Sequence, residues 1–179
     1  MELHLAPPPA PPRFEEVFAT CAELVWRTMR RLGPREADAE DLAQEVFLVV
    51  HRRLGEFEGR SKLSTWVYGI CVRVAADARR RASVRYEVPM AAPPEGVAPA
   101  LQDAALAQRR ARALLDHAMH VALDDDRRAV FVLYEIEELP MTEVAQAVGC
   151  PLQTAYSRLH AARKRVTELA EALQEGNRP

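Results

Sequence analysis

Between residues 84 and 102 the chain carries Pro89, Pro93, Pro94 and Pro99 together with Gly96, and this stretch separates two blocks whose apolar residues recur at helical spacing. Proline has no amide hydrogen to give to a helix or a sheet ladder, and the small residues around these prolines add little apolar surface to a core. The sequence therefore predicts two small domains, over 13–83 and 104–175, joined by an extended linker over 84–103. Fully extended, a tether of that length reaches at most ~65 Å. Residues 1–12 hold Pro7, Pro8, Pro9, Pro11 and Pro12 and are expected to be a disordered lead-in.

Both blocks are expected to be all-α, because β-branched alternation is missing and the apolar residues fall three and four apart. In the first block, Phe14, Val17, Phe18, Cys21, Leu24, Val25, Met29 and Leu32 predict a helix over 14–32, ended by Gly33-Pro34. A second helix is expected over 35–54 up to Gly55, and a third over 64–81 after the loop 56–63. In the second block the periodicity predicts helices over 104–123, 126–139, 141–148 and 151–173. Asp124 or Asp125 is placed to cap the second of these, and Gly149 to let the third turn.

Several function classes lose support at once. Cys21, Cys71 and Cys150 are odd in number, far apart and form no C-x-x-C pair, so neither a disulfide framework nor a zinc knuckle is indicated and a reducing cytoplasm fits best. Apolar runs fall short of the ~20 residues a membrane span needs. Phosphate-loop, dinucleotide and zinc-protease motifs are missing. His117 and His120 lie one turn apart but have no evident third ligand, so no metal, cofactor or catalytic residue is expected. The net charge of −2 does not advertise nucleic-acid binding, which leaves the distribution of charge to decide.

That distribution is uneven. From Leu139 to His160 a short amphipathic helix, a Gly turn and a longer helix opening with Pro151 form a helix-turn-helix pattern. At ~100° per residue, Ala155, Leu159, Ala162 and Val166 group on one face of the last helix. Opposite them project Gln153, Tyr156, Ser157, His160, Arg163 and Lys164, with Arg158 on the flank, and residues 151–167 contain no acid. These side chains can exchange hydrogen bonds with base edges and neutralise phosphates.

The stretch from Arg60 to Arg85, around the third helix of the first block, is basic as well: Arg60, Lys62, Arg73, Arg79, Arg80, Arg81 and Arg85 stand against the single acid Asp77. Trp66 and Tyr68 sit among these cations, a combination suited to unstacked bases on a phosphate backbone. Val67, Ile70, Cys71, Val74 and Ala78 supply its buried stripe. On the second helix Leu42, Val46, Val49 and Val50 point inward and leave Glu40, Asp41, Gln44, Glu45, Leu48, His51 and Arg52 outside. An anionic face with an apolar residue in it repels DNA and suits a basic protein surface.

Taken together, Asp38-Ala-Glu-Asp-Leu-Ala-Gln-Glu-Val-Phe, Ser64-Thr-Trp-Val-Tyr-Gly-Ile and Asp77-Ala-Arg-Arg-Arg resemble the first conserved domain of the extracytoplasmic-function (ECF) subfamily of bacterial sigma-70 family RNA polymerase sigma factors. Asp126-Arg-Arg-Ala-Val-Phe-Val-Leu, Glu143-Val-Ala, Gly149-Cys-Pro and Thr154-Ala-Tyr-Ser-Arg-Leu-His-Ala-Ala-Arg-Lys resemble that family's promoter-reading domain. The resemblance implies that Asp41, Gln44, Glu45, Leu48, His51 and Arg52 dock on core polymerase, through its β′ and β subunits. It implies −10 recognition and melting by Arg60, Lys62, Ser64, Thr65, Trp66, Tyr68, Arg73, Arg79, Arg80 and Arg81. Reading of the −35 element falls to Gln153, Thr154, Tyr156, Ser157, Arg158, His160, Arg163 and Lys164, and an anti-sigma factor is the implied inhibitory partner. Two positions depart from the family pattern: Arg73-Val74 stands where Asn and an aliphatic residue are usual, and Gln153 replaces the common Gly before Thr154. Base preferences are therefore not transferable from relatives. The alternative reading is a free-standing helix-turn-helix regulator with an N-terminal sensing domain.

Overall fold

The computed structural model describes residues 12–85, Met119 and residues 122–175, and among these every regular element is helical. Nearly all of the lead-in, most of the expected linker and of the first helix expected in the second block, and the His117/His120 pair lie outside the described residues.

Helix α1 spans Phe14–Leu32 and coincides with the predicted run. At its start the Arg13 amide donates to the Glu16 carboxylate at 3.1 Å, and at its end the Gly33 amide donates to the Met29 carbonyl at 2.8 Å. Glu15 and Glu16 in the first turn and Arg30 and Arg31 in the last complement the helix dipole. Its buried face is Val17, Cys21, Val25, Met29 and Leu32. Phe18 is exposed because the apolar set on α1 is wider than the surface its neighbours cover, and Phe14 and Leu24 are half-buried.

A 3-10 turn over Glu36–Asp38 leads into α2, Ala39–Arg53, and another over Leu54–Glu56 leaves it. The expected single run is thus broken at both ends. Leu42, Val46 and Val50 are buried as expected, and Val49 is only half-buried. Helix α3 covers Leu63–Arg85, beginning one residue before the predicted start and running past the expected domain boundary at 83. Val67, Ile70, Cys71, Val74 and Ala78 form its buried stripe and close a three-helix unit with α1 and α2.

In the second block Asp124 caps α4, Asp125–Phe131, by accepting from the Arg127 amide at 2.8 Å. The helix continues into a π-helical turn over Val132–Ile136 in place of the longer α-helix expected there. Arg128, inside the core, donates to the Met119 and Leu123 carbonyls at 3.2 and 2.9 Å, which ties the segment before α4 to that helix. Burial, and next the charge of Arg79, push its guanidinium down to about 10, so it remains cationic at neutral pH.

Helix α5, Met141–Val148, ends at Gly149 with φ 69° and ψ 38°, left-handed backbone that an L side chain adopts only at a cost. Helix α6 then spans Leu152–Glu175, with Pro151 standing just before it and not inside it. The Pro151 carbonyl accepts from the Ala155 amide at 3.1 Å. Ala155, Leu159 and Ala162 are buried and Val166 half-buried, the stripe that the periodicity predicts.

The two blocks are packed on each other, and the buried apolar cluster runs through both. Helix α3 lies against α5 with a close approach at Gly69, where a Cβ would stand 3.1 Å from the Ala147 carbonyl oxygen. Glycine at that position admits the backbone of the other block.

Candidate nucleic-acid interface

On α6 the residues opposite the buried stripe are presented to solvent. Gln153, Tyr156, Ser157, His160, Arg163 and Lys164 are exposed, with Tyr156 keeping 49% of its surface, while Thr154 and Arg158 are intermediate. The Ser157 hydroxyl donates to the Gln153 carbonyl at 3.0 Å, so its lone pairs remain for a ligand. Arg163 is paired with Glu135 at 2.6 Å, its guanidinium also lying over the Tyr134 ring, and Arg158 is paired with Asp126. Both guanidiniums are thus engaged by carboxylates of their own block. The face between them is polar, uncharged apart from Lys164 and open.

Helix α2 presents a second open face. Asp41, Gln44, His51 and Arg52 are exposed and Leu48 keeps 57% of its surface, a high value for a leucine. Glu45 is partly covered, because its carboxylate accepts from Arg81 at 2.9 Å. That contact, with the Glu45 charge beside it, raises the Arg81 pKa. Leu48 thus stands exposed on a face that carries Gln44 and Glu45 on one side and His51 and Arg52 on the other.

Helix α3 is different, since most of its expected nucleic-acid residues are already engaged. Thr65 and Tyr68 are buried, at 2% and 3% exposure, and Trp66 is half-buried with its ring 5.5 Å from that of Phe57. Thr65 donates to Glu143 at 2.8 Å and Lys62 to the same carboxylate at 2.6 Å. Those two hydrogen bonds hold the Glu143 carboxyl below its ordinary range. The Tyr68 hydroxyl donates to Glu137 at 2.9 Å, and burial, then the Glu137 charge, push the phenol up. Arg79 meets Asp125 at 2.5 Å; Arg80 is paired with Asp77 on its own helix, and Arg60 with Glu58. Ser64 is half-buried, and Arg73 is exposed without an ion pair among the described residues.

Trp66 and Tyr68 therefore do not stand open among the cations of this segment. Both face protein in this arrangement: Trp66 the Phe57 side of its own block, Tyr68 the second block.

Two residues that sequence reasoning did not single out complete this contact. The Glu137 side chain is wholly buried and receives Arg27 through both carboxylate oxygens, at 2.5 to 3.1 Å, with the Arg31 guanidinium 3.8 Å away. Hydrogen bonding to Glu137 raises the Arg27 pKa. A usable signal was present, because Glu135, Glu137, Glu138 and Glu143 form an acidic run of the kind that pairs with a basic helix. Among the described residues no group of three or more His, Cys, Asp or Glu could hold a metal, and no helix is long and apolar enough to cross a membrane.

Comparison with known proteins identifies the family of both blocks. The chain matches the family described as Sigma-70 region 2 over residues 17–85 and that described as Sigma-70, region 4 over residues 117–166. It is 32% identical to the ECF RNA polymerase sigma factor SigE of Mycolicibacterium smegmatis over 89% of this chain, and spans 62% of that protein's length. With the RNA polymerase sigma-E factor of Streptomyces coelicolor it shares 30% identity over 87% of this chain and 84% of the relative. With ECF RNA polymerase sigma factor SigC of Mycobacterium tuberculosis it shares 32% over 83% and 77%. Among solved structures the fold is similar to that of the sigma factor RpoE in complex with the anti-sigma factor NepR from Bartonella quintana. That match has a TM-score of 0.66 and 22% identity and covers 88% of this chain and 96% of the other. It is likewise similar to CnrH in complex with the cytosolic domain of CnrY, with a TM-score of 0.65, 21% identity and coverage of 89% and 88%. Two family matches in order along one helical chain, and relatives that it spans over most of their length, place this protein in the ECF subfamily of sigma-70 family RNA polymerase sigma factors.

Proposed function

We propose that this chain directs promoter-specific initiation by docking on core RNA polymerase through α2 and engaging the −10 and −35 elements through α3 and α6. The observation that carries this reading is the open face of α6 beyond the left-handed Gly149 turn: Gln153, Tyr156, Ser157 and His160 stand free over a buried apolar stripe. In the major groove such a helix offers donors and acceptors to base edges, while Arg163 and Lys164 approach phosphates. Asp41, Gln44, Glu45, Leu48, His51 and Arg52 are assigned to the polymerase, on the β′ and β subunits. Arg60, Lys62, Ser64, Thr65, Trp66, Tyr68, Arg73, Arg79, Arg80 and Arg81 are assigned to the −10 strand.

On this reading the phosphodiester chemistry belongs to the polymerase and the chain acts in the cytoplasm as a non-catalytic initiation factor. An anti-sigma factor is proposed as its inhibitory partner; the similar sigma factor RpoE of Bartonella quintana was solved in complex with the anti-sigma factor NepR. Each half makes few contacts with DNA alone, so strong binding needs both halves held on one scaffold. The test is a promoter-binding titration of the purified chain with and without sigma-free core polymerase. Specific binding only with core is expected; equally tight, site-specific binding by the chain alone assigns it to free-standing regulators.

A further inference from the structure

Leu152 opens α6 with 43% of its surface exposed, and Tyr156, one turn later, keeps 49%. Among the described residues of the second block no other large apolar side chain is exposed. Residues four apart on a helix are neighbours, about 5–6 Å between Cβ atoms, so the leucine and the phenol ring form one apolar step. Leu152 lies outside the set that the family pattern assigns to the −35 element.

The core does not use this step. What it takes from α6 is Ala155, Leu159 and Ala162, whereas Leu152 borders an open groove at the α5–α6 turn with Thr142, Gln146 and Cys150. Gln153, Ser157 and His160 beside the step are exposed and polar. A single exposed leucine is ordinary on a protein surface. Here a leucine and a tyrosine are paired in the first two turns of a helix that follows the left-handed Gly149 turn, where a helix-turn-helix meets base edges.

A base pair offers little there to an apolar side chain. Base edges in the major groove present hydrogen-bond donors and acceptors, and one apolar group, the C5-methyl of thymine. We propose that Leu152, together with the ring of Tyr156, reads the C5-methyl of a thymine in the −35 element, which makes Leu152 a specificity-determining residue of this chain.

The reading face is then divided by chemistry. Gln153, Ser157 and His160 have hydrogen bonds to exchange with bases; Leu152 has none and gains only from apolar surface removed from water. One methyl group is a small part of the interface, so its removal changes affinity several-fold and does not abolish binding. The Tyr156 hydroxyl takes no part in this contact. The inference rests on the sigma-factor reading for the identity of the DNA element, but a methyl contact is measurable with or without polymerase.

Uracil differs from thymine only in that methyl and pairs with adenine in the same way. Duplexes are enriched from a randomised pool by the full chain with sigma-free core polymerase, and separately by the full chain alone. Each thymine of the enriched upstream element, on either strand, is then replaced by uracil, one position at a time. Uracil should weaken binding of the parent by roughly three- to tenfold at one or two positions and by less than about twofold elsewhere. At those positions Leu152→Ala should bind the thymine and uracil forms within about twofold of each other, with core affinity and helical content by circular dichroism unchanged. Tyr156→Phe should keep the parental thymine-to-uracil ratio and Tyr156→Ala should reduce it.

A parent that binds both forms equally at every position, or a Leu152→Ala chain that keeps the parental ratio, would overturn the proposal. Loss of core affinity in Leu152→Ala with the ratio unchanged would assign the step to a protein partner and overturn it as well. Enrichment by the chain alone with the same methyl ratio, and no gain from core, would sink the sigma-factor reading and leave the contact standing. No enrichment under either condition would sink both.

Discussion

Replacing Gly149 by alanine isolates the backbone requirement of the turn that orients α6. A Cβ built on Gly149 meets nothing within 4 Å, so the substitution adds no collision. What remains is the φ of 69°, which for an L residue costs roughly 1–2 kcal/mol. Alanine also restricts the unfolded chain and returns about 0.4–1 kcal/mol. The net expectation is a loss of about 1 kcal/mol, a fall of about 2–4 °C in Tm for a chain of this size. Asparagine, which tolerates left-handed backbone, should lose less. Gly55 is the control, since its Cβ also meets nothing and its φ is not positive; Gly55→Ala should be neutral or stabilising. Urea unfolding of the three variants against the parent reads these differences directly. A Gly149→Ala protein as stable as the parent would show that the chain does not hold the left-handed turn, and with it the direction of α6.

Further expectations concern recognition and pH. His160→Ala and Tyr156→Ala should each weaken holoenzyme binding to a cognate −35 site by ~1–3 kcal/mol with core affinity unchanged; equal loss on every DNA sequence would remove the base-reading role. Reversing Asp41 and Glu45 to lysine should abolish co-purification with core polymerase, since both the anionic face and the Glu45–Arg81 pair change sign, and unchanged co-purification would contradict the docking site. The Glu143 carboxyl is held below its ordinary range by Lys62 and Thr65, so its stabilisation is present above that range and lost as pH falls through the lower folded-state value. Between pH 5 and pH 3, Glu143→Gln should therefore lose less urea stability than the parent, and parallel losses would contradict the Lys62–Glu143 contact.

The elements of this fold were legible wherever local periodicity and local capping determine them. Helix α1 starts and stops at the predicted residues because Phe14 through Leu32 are periodic and Gly33-Pro34 cannot continue the helix. Gly149, and the stripe of Ala155, Leu159 and Ala162, follow from the same short-range chemistry. Periodicity places a side chain on a face without saying what that face meets. The burial of Thr65 and Tyr68 is not legible for this reason, since their partners Glu143 and Glu137 lie 78 and 69 residues further along the chain.

Arg27 was passed over on similar grounds: on α1 it reads as one more solvated cation until Glu137 is buried against it. The π-helical turn over Val132–Ile136 also escaped, because Val-Leu-Tyr-Glu-Ile is compatible with an ordinary helix. On α6 and α2, by contrast, the polar faces stay open, and the residues assigned there, Glu45 apart, lie largely where the helical wheel put them.

The most direct test of the sigma-factor assignment is transcription in vitro from a genomic fragment library with sigma-free core polymerase and the purified chain, with start sites mapped. The account predicts a discrete set of starts, each preceded by two short sequence elements at a constant spacing. No initiation above core alone, at any fragment, would contradict it.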